Sequence, residues 1–238
     1  MILYYIRHGD PIYNPDSLTP LGHEQARALA KRLALYGIDE IYASSSNRAQ
    51  LTAKPTCELL KKEMTILDWA NEHNAWSRLG TYREDGVYTW AFSEPRMREK
   101  FLSPEVRALG YHWHTHPYFK DTKFSEAVEF IDRELDGFLL SLGYRHDRER
   151  CTYEAVSGND KRVALFAHQG MGMSVLSSLL DIPYNIFSVH ADICTTGMTV
   201  IKFDREGDKI IPKMLQLSND SHLYREGILT GYNNGDRI

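Results

Sequence analysis

Residues 1–6, MILYYI, form an apolar run with no polar alternation, and the run stops abruptly on Arg7 and His8. A strand with one wet face alternates, whereas an unbroken Ile, Leu and Tyr run suits a strand covered on both faces inside a parallel sheet. A second such run, residues 162–167, also stops on a histidine, His168. Between them the pattern switches period repeatedly. Thr19 can cap a helix with Pro20 at its first position; Ala26, Leu29, Ala30 and Leu33 recur at helical spacing, and Gly37 follows as a stop. Residues 38–43 read as a second strand, 47 to about 62 as a second helix, and 64–68 as a third strand. This alternation, with right-handed crossovers, predicts an α/β fold of three layers, α/β/α, around a mostly parallel central sheet.

The period is lost over residues 72–123, which carry Trp76, Trp90 and Trp113. One domain spanning residues 1–238 is expected, with an aromatic-rich insertion at about 73–123 lying over one edge of the sheet and capping the site. The aromatic residues of that insertion read first as its own small core. Within it, His112, His114 and His116 alternate, which in an extended strand would put three rings on one face, also a metal-ligand arrangement. With no cysteine or clear carboxylate partner, a polar strand or loop is the commoner reading, and no metal site is assigned. Residues 124–142 resume a helical pattern that Gly143 ends, 144–161 are polar enough for a surface loop, and 170–180 suit a buried helix. Residues 198–203 and 209–217 can pair as a hairpin around REGD, and the last twenty residues read as coil.

Composition excludes several classes. Hydrophobic residues make up 42% and charged residues 25%, as in an ordinary globular chain and unlike a disordered one. A formal net charge of −4 with no block of Lys and Arg argues against nucleic acid as a partner. The apolar start is cut off by Arg7, too short for a signal segment or a membrane span, and Cys57, Cys151 and Cys194 are widely spaced without a CxxC pair. A cytoplasmic location with reduced thiols is expected, and the oligomeric state is left open.

In an open parallel sheet, ligands bind beyond the carboxyl ends of the strands. Arg7 and His8 follow the first strand, SSSNR ending at Arg48 the second, Glu72 the third, and His168 the long strand after residue 162. Two arginines, two histidines and a carboxylate at one rim describe a site for a phosphoryl group, because the guanidinium fork matches phosphate oxygens. Backbone N–H groups at the start of the helix after Gly170 can add to the anion hole.

These residues stand in motifs. RHG at 7–9, Asn14 five residues past Gly9, LTPLGHEQARALAKRL at 18–33, SSSNRAQLTAKP at 44–55, WANEH at 69–73 and AHQG at 167–170 occur in that order. Together they resemble the histidine phosphatase superfamily, the branch that includes cofactor-dependent phosphoglycerate mutases and the phosphatases like them. The resemblance spans residues 1–72 and 124–203 and leaves 73–123 unmatched. It implies that His8 attacks phosphorus as a neutral imidazole, that Arg7, Arg48 and His168 bear the charge of the phosphoryl oxygens, and that Asn14, Gln169 and Gly170 lie against the substrate. Glu72 would protonate the leaving alkoxide, with Asp68, Glu84 and Asp85 competing for that role, and neither metal nor cofactor is required. Asp10 stands where the family often has Glu, Pro11 where it has a hydroxyl residue, and HQG where HGG is frequent; none of these removes a catalytic group.

The activity implied is hydrolysis of a small phosphorylated metabolite. A phosphomutase would use the same residues, but the short segment between His8 and LTPLG lacks the longer Phe-Thr-Gly-Trp loop that marks the mutases. A non-catalytic phospholigand-binding protein is the reading from another class, and retention of every charged group argues against it.

Overall fold

The computed structural model describes residues 1–206 and 209–232. Eight strands form one sheet in the spatial order Met64–Leu67, Glu40–Ser44, Arg162–Ala167, Ile2–Arg7, Met198–Glu206, Lys209–Asn219, Thr152–Ala155, Tyr144–Asp147. The first four run parallel, and beyond Ile2–Arg7 each neighbour is antiparallel. The first strand is central, as its unbroken apolar run predicts. Leu3 and Tyr5 point into one core and Tyr4 and Ile6 into the other, all four buried. Helices Pro20–Tyr36 and Asn47–Leu60 cover the second face through Leu29, Leu33 and Ala53, while Phe124–Ser141, Gln169–Leu180 and Tyr184–His190 cover the first. The layers are therefore α/β/α. Among the described residues no helix is long and apolar enough to cross a membrane.

Local signals act where they were read. The Thr19 side chain accepts from the Gly22 N–H, and Gly37 ends the first helix at φ 72°, a conformation that glycine adopts without strain. Register then sets the site. Arg7 lies opposite Ala167, Phe166 opposite Ala43, and Ser44 opposite Leu67, so the parallel strands end in one row and the chain leaves each at the same rim.

The insertion is helical. Glu72–Leu79 and Pro95–Leu102 are two-turn helices, capped by the side chains of Asn71 and Glu94, with a small hairpin of Gly80–Tyr82 and Tyr88–Trp90 between them. Helices this short repeat too few times to display a 3.6-residue period, which is why the sequence pattern reads as irregular. Phe101, Trp113 and Phe119 are buried against Phe124 and Tyr184, so this part packs on the helical layer and not over a sheet edge. The HWHTH stretch is a 3₁₀ turn, Gly110–Thr115, and not an extended strand. Its histidines take separate partners: His114 Nδ1 meets Ser125 Oγ at 2.9 Å, and His116 Nδ1 accepts from the Tyr118 N–H. Near the chain end, a short helix, Ser221–Arg225, stands where coil was expected. Strands Met198–Glu206 and Lys209–Asn219 pair as the hairpin reading requires, with Gly207 and Asp208 of its turn outside the described residues.

Residues 144–161, expected as a surface loop, contain a hairpin, Tyr144–Asp147 with Thr152–Ala155, that closes the sheet. Two aromatic anchors hold it. Tyr144 and Tyr153 are buried against Phe203, with ring centroids 4.9 and 5.5 Å away. The polar residues that disguised the strand are satisfied by charge. The His146 ring, fully covered, lies between Asp136 Oδ1 at 3.1 Å and Asp181 Oδ2 at 3.0 Å and stacks on Tyr153 at 4.1 Å. Arg148 donates to both Asp136 oxygens, at 2.9 and 2.8 Å.

Burial disfavours the charged His146 ring, but the hydrogen bonds it gives to Asp136 and Asp181 outweigh it and raise its pKa. A raised folded value means that the stabilisation is complete below the ordinary histidine range, about 6.5, and fades as pH climbs through the folded value. His146→Ala is expected to destabilise the protein by on the order of 3 kcal/mol at pH 6, and the gap should narrow toward pH 9 in urea titrations. A gap independent of pH would show that the ring contributes only packing.

Candidate active site

The loop after the first strand is held by its neighbours. A Cβ on Gly22 would fall 2.3 Å from the Asp10 carbonyl oxygen, and one on Gly9 2.7 Å from that of Gly22, so two glycines let the His8 loop lie directly on the first helix. Gly9 N–H donates to Thr52 Oγ1 and Asp10 N–H to Gln25 Oε1, at 2.9 and 2.8 Å. The Asp10 carboxylate accepts from the Thr19 hydroxyl at 2.6 Å.

Five predicted residues come together. Arg7 is fully buried and donates to the Ile193 carbonyl at 2.5 Å. The His8 ring, 2% exposed, has Nδ1 at 2.7 Å from the Gly9 carbonyl, which places the proton on Nδ1 and leaves the lone pair on Nε2. Its centroid is 5.3 Å from that of His168. His168 Nε2 meets Ser44 Oγ at 2.8 Å and Ser46 Oγ at 3.2 Å, and its Nδ1 faces Arg48 at 3.1 Å and Glu72 Oε2 at 3.5 Å. Arg48 is oriented from its other side by Asp16 Oδ1 at 2.8 Å, with the Tyr13 ring 5.4 Å from its guanidinium carbon.

Glu72 opens a helix and is positioned by another. Its Oε1 accepts from the Met171 N–H at 2.9 Å, and the Gly170 N–H also bonds to this carboxylate. The N–H groups expected to widen an anion hole thus hold Glu72, whose Oε2 is turned to His168. Burial raises the Glu72 pKa even against the opposing pull of those N–H groups and of Arg48 and Arg7. Burial, with Arg7 and Arg48, drives the His8 pKa well below the ordinary value; burial, with His8 and both arginines, does the same to His168. Both rings are therefore neutral at pH 7.

The family model described as "Histidine phosphatase superfamily (branch 1)" matches residues 3–98, the segment that carries Arg7, His8, Arg48 and Glu72. Over that segment the chain is similar to the histidine phosphatase superfamily. A protein of Hydrogenobacter thermophilus with the name "Putative phosphoserine phosphatase 2" is 24% identical over 219 residues, covering 88% of this chain and 93% of its own. The solved structure of a phosphoserine phosphatase mutant from Entamoeba histolytica, in complex with phosphoserine, superposes with a TM-score of 0.58 at 18% identity, over 93% of this chain and 98% of the other. A mycobacterial glucosyl-3-phosphoglycerate phosphatase superposes with a TM-score of 0.59 at 18% identity, over 91% and 98%. At these identities the superpositions establish a shared fold.

Three further residues were expected at the substrate. Asn14 sits exposed at the tip of a two-stranded turn, and its neighbours Tyr13 and Asp16 make the contacts to Arg48. Gln169 is buried and donates to Asp192 Oδ1 at 2.7 Å. Gly170 admits Trp90: a Cβ there would fall 2.2 Å from the indole. Sequence reasoning missed Asp16, Ser44, Ser46 and Trp90. The triple serine before Arg48 was the one visible signal, two of its three hydroxyls being those that hold His168.

His8, Glu72 and His168 each present one ligand atom within 4.8 Å of the others, the grouping of metal-ligating type found among the described residues. Two guanidinium groups beside it favour an anion over a cation. Next to the site opens a cleft of about 760 Å³, lined by Tyr13, Trp76, Trp90 and Tyr232 together with Asp10 and Glu24.

Because the folded pKa of His8 is depressed, the unfolded chain binds the extra proton first, and the stability contributed by the neutral ring is present above about pH 6.5 and is lost on acidification. NMR of the His8 ring is expected to report neutral imidazole, protonated on Nδ1, at pH 6. An imidazolium signal there would contradict the burial and charge argument.

Proposed function

We propose that the chain is a metal-independent phosphoric monoester hydrolase acting on a small phosphorylated metabolite through a phosphohistidine on His8. One observation carries this reading: a neutral imidazole with its lone pair on Nε2 stands beside two guanidinium groups and within reach of a carboxyl whose pKa is raised. The names of its relatives, phosphoserine phosphatase and glucosyl-3-phosphoglycerate phosphatase, agree in substrate size and reaction type.

The chemistry follows from the geometry. His8 Nε2 forms a bond to phosphorus while the bond from phosphorus to the alcohol oxygen breaks, and the departing alkoxide takes the Glu72 proton. Glu72, now a carboxylate, removes a proton from water; the hydroxide attacks phosphorus, the P–N bond breaks, and neutral His8 returns. Arg7 and Arg48 neutralise the oxygens of the transferring group, where most of the catalysis of phosphoryl transfer resides. Because the Arg48 guanidinium can only donate to Nδ1, the His168 proton lies on Nε2 and is given to the Ser44 hydroxyl, which holds the ring beside the transferring group.

The purified chain should release phosphate from an aryl phosphate in the presence of a chelator, and His8→Ala should abolish release; turnover that survives this substitution removes the nucleophile. Glu72→Gln is expected to slow alkyl esters by about a hundredfold or more and activated aryl esters far less, because only the poor leaving group needs the proton. An equal loss on both would move the acid to another residue.

A further inference from the structure

We infer that the cleft beside the site selects phosphate monoesters whose leaving alcohol carries a flat ring and no negative charge. This rests on the phosphatase reading and specifies its substrate class.

The leaving oxygen must reach Glu72, and Glu72 is held by the N–H groups of Gly170 and Met171. Trp90 lies on that same helix start, its Cζ2 only 2.2 Å from where a Gly170 Cβ would stand. The alcohol therefore leaves along an indole. Trp76 meets Trp90 edge to face at 4.8 Å and 82°, and Trp90 stacks on Phe92 at 5.4 Å, so the wall is braced from both sides. Tyr13, whose ring also packs on Arg48, stands in the same cleft, joining it to the phosphate end of the site. Half-buried aromatic faces of this kind bind flat rings and cations.

Charge completes the selection. The cations of the site are at the phosphate end: Arg7 and Arg48. Among the described residues lining the cleft there is no lysine, arginine or histidine, and its two charged members are Asp10 and Glu24. An ester with a second anion would carry it into a region bounded by carboxylates, whereas a neutral or cationic ring meets aromatic surface and negative potential. The cleft, about 760 Å³, falls within the size of ordinary ligand pockets and far exceeds what a phosphoryl group fills.

Three esters of matched leaving group test this: benzyl phosphate, its 4-aminomethyl derivative and its 4-carboxy derivative, with methyl phosphate as the ring-free reference. The expected order of kcat/KM is aminomethyl at least equal to benzyl, and both about tenfold above carboxy. Glu24→Gln, a change at an exposed position, should narrow the gap between the aminomethyl and carboxy esters, and Trp90→Leu should lower all ring-bearing esters relative to methyl phosphate. A carboxy ester turned over as fast as the others, or a gap that neither Glu24→Gln nor high salt alters, overturns the selection while leaving the phosphatase intact. Hydrolysis of none of the four overturns both.

Discussion

The structure is organised around a guanidinium with no exposure to water. Arg7 ends the central strand at 0% exposure, where an isolated charge would cost many kcal/mol. Its surroundings answer that cost: the Ile193 carbonyl accepts from it, and Asp192 and Glu72 both act on it electrostatically. A buried cation at this point also dictates the state of what surrounds it. It adds to the burial that already holds the adjacent imidazoles neutral and opposes, without cancelling, the burial-driven rise in the Glu72 pKa. The proposed nucleophile, charge clamp and acid are thus one coupled electrostatic object.

Rigidity of that object comes from hydrogen bonds made outside the reacting atoms. Gly9 fixes the His8 tautomer, Ser44 and Ser46 hold His168, Asp16 aims Arg48, and the start of a helix pins one Glu72 oxygen so that the other faces the site. Each partner locks a ring or a carboxylate in a single orientation, the preorganisation on which electrostatic stabilisation of a transition state depends. Phe101, Trp113 and Phe119 serve the insertion as a dry core, while Trp76 and Trp90 in the same insertion are left half-buried to shape the cleft. One stretch of chain both stabilises itself and furnishes a wall of the cleft.

Much of this is legible in the sequence. The unbroken apolar runs announced central strands, Thr19 with Pro20 and Gly37 bracketed the first helix, and residues expected at strand ends lie there because a parallel sheet puts every such end on one rim. The hairpin at residues 144–155 was not legible, because its polar positions are buried through ion pairing with Asp136 and Asp181, and hydrophobic periodicity does not register such burial. The 3₁₀ turn through HWHTH was hidden for a related reason, since alternation in a short stretch does not distinguish a strand from a turn.

By itself, then, the sequence determined the layer order, the central strands, and the identity of the groups brought to the rim, because those depend on local periodicity, capping and chain order. Tertiary structure alone decided which partner each group has: that Glu72 rests on the N–H groups of Gly170 and Met171, that Asp16 rather than Asn14 attends Arg48, and that Trp90 lies on Gly170. Such contacts join residues tens of positions apart. Their geometry follows from how whole elements pack, which no window of sequence encodes.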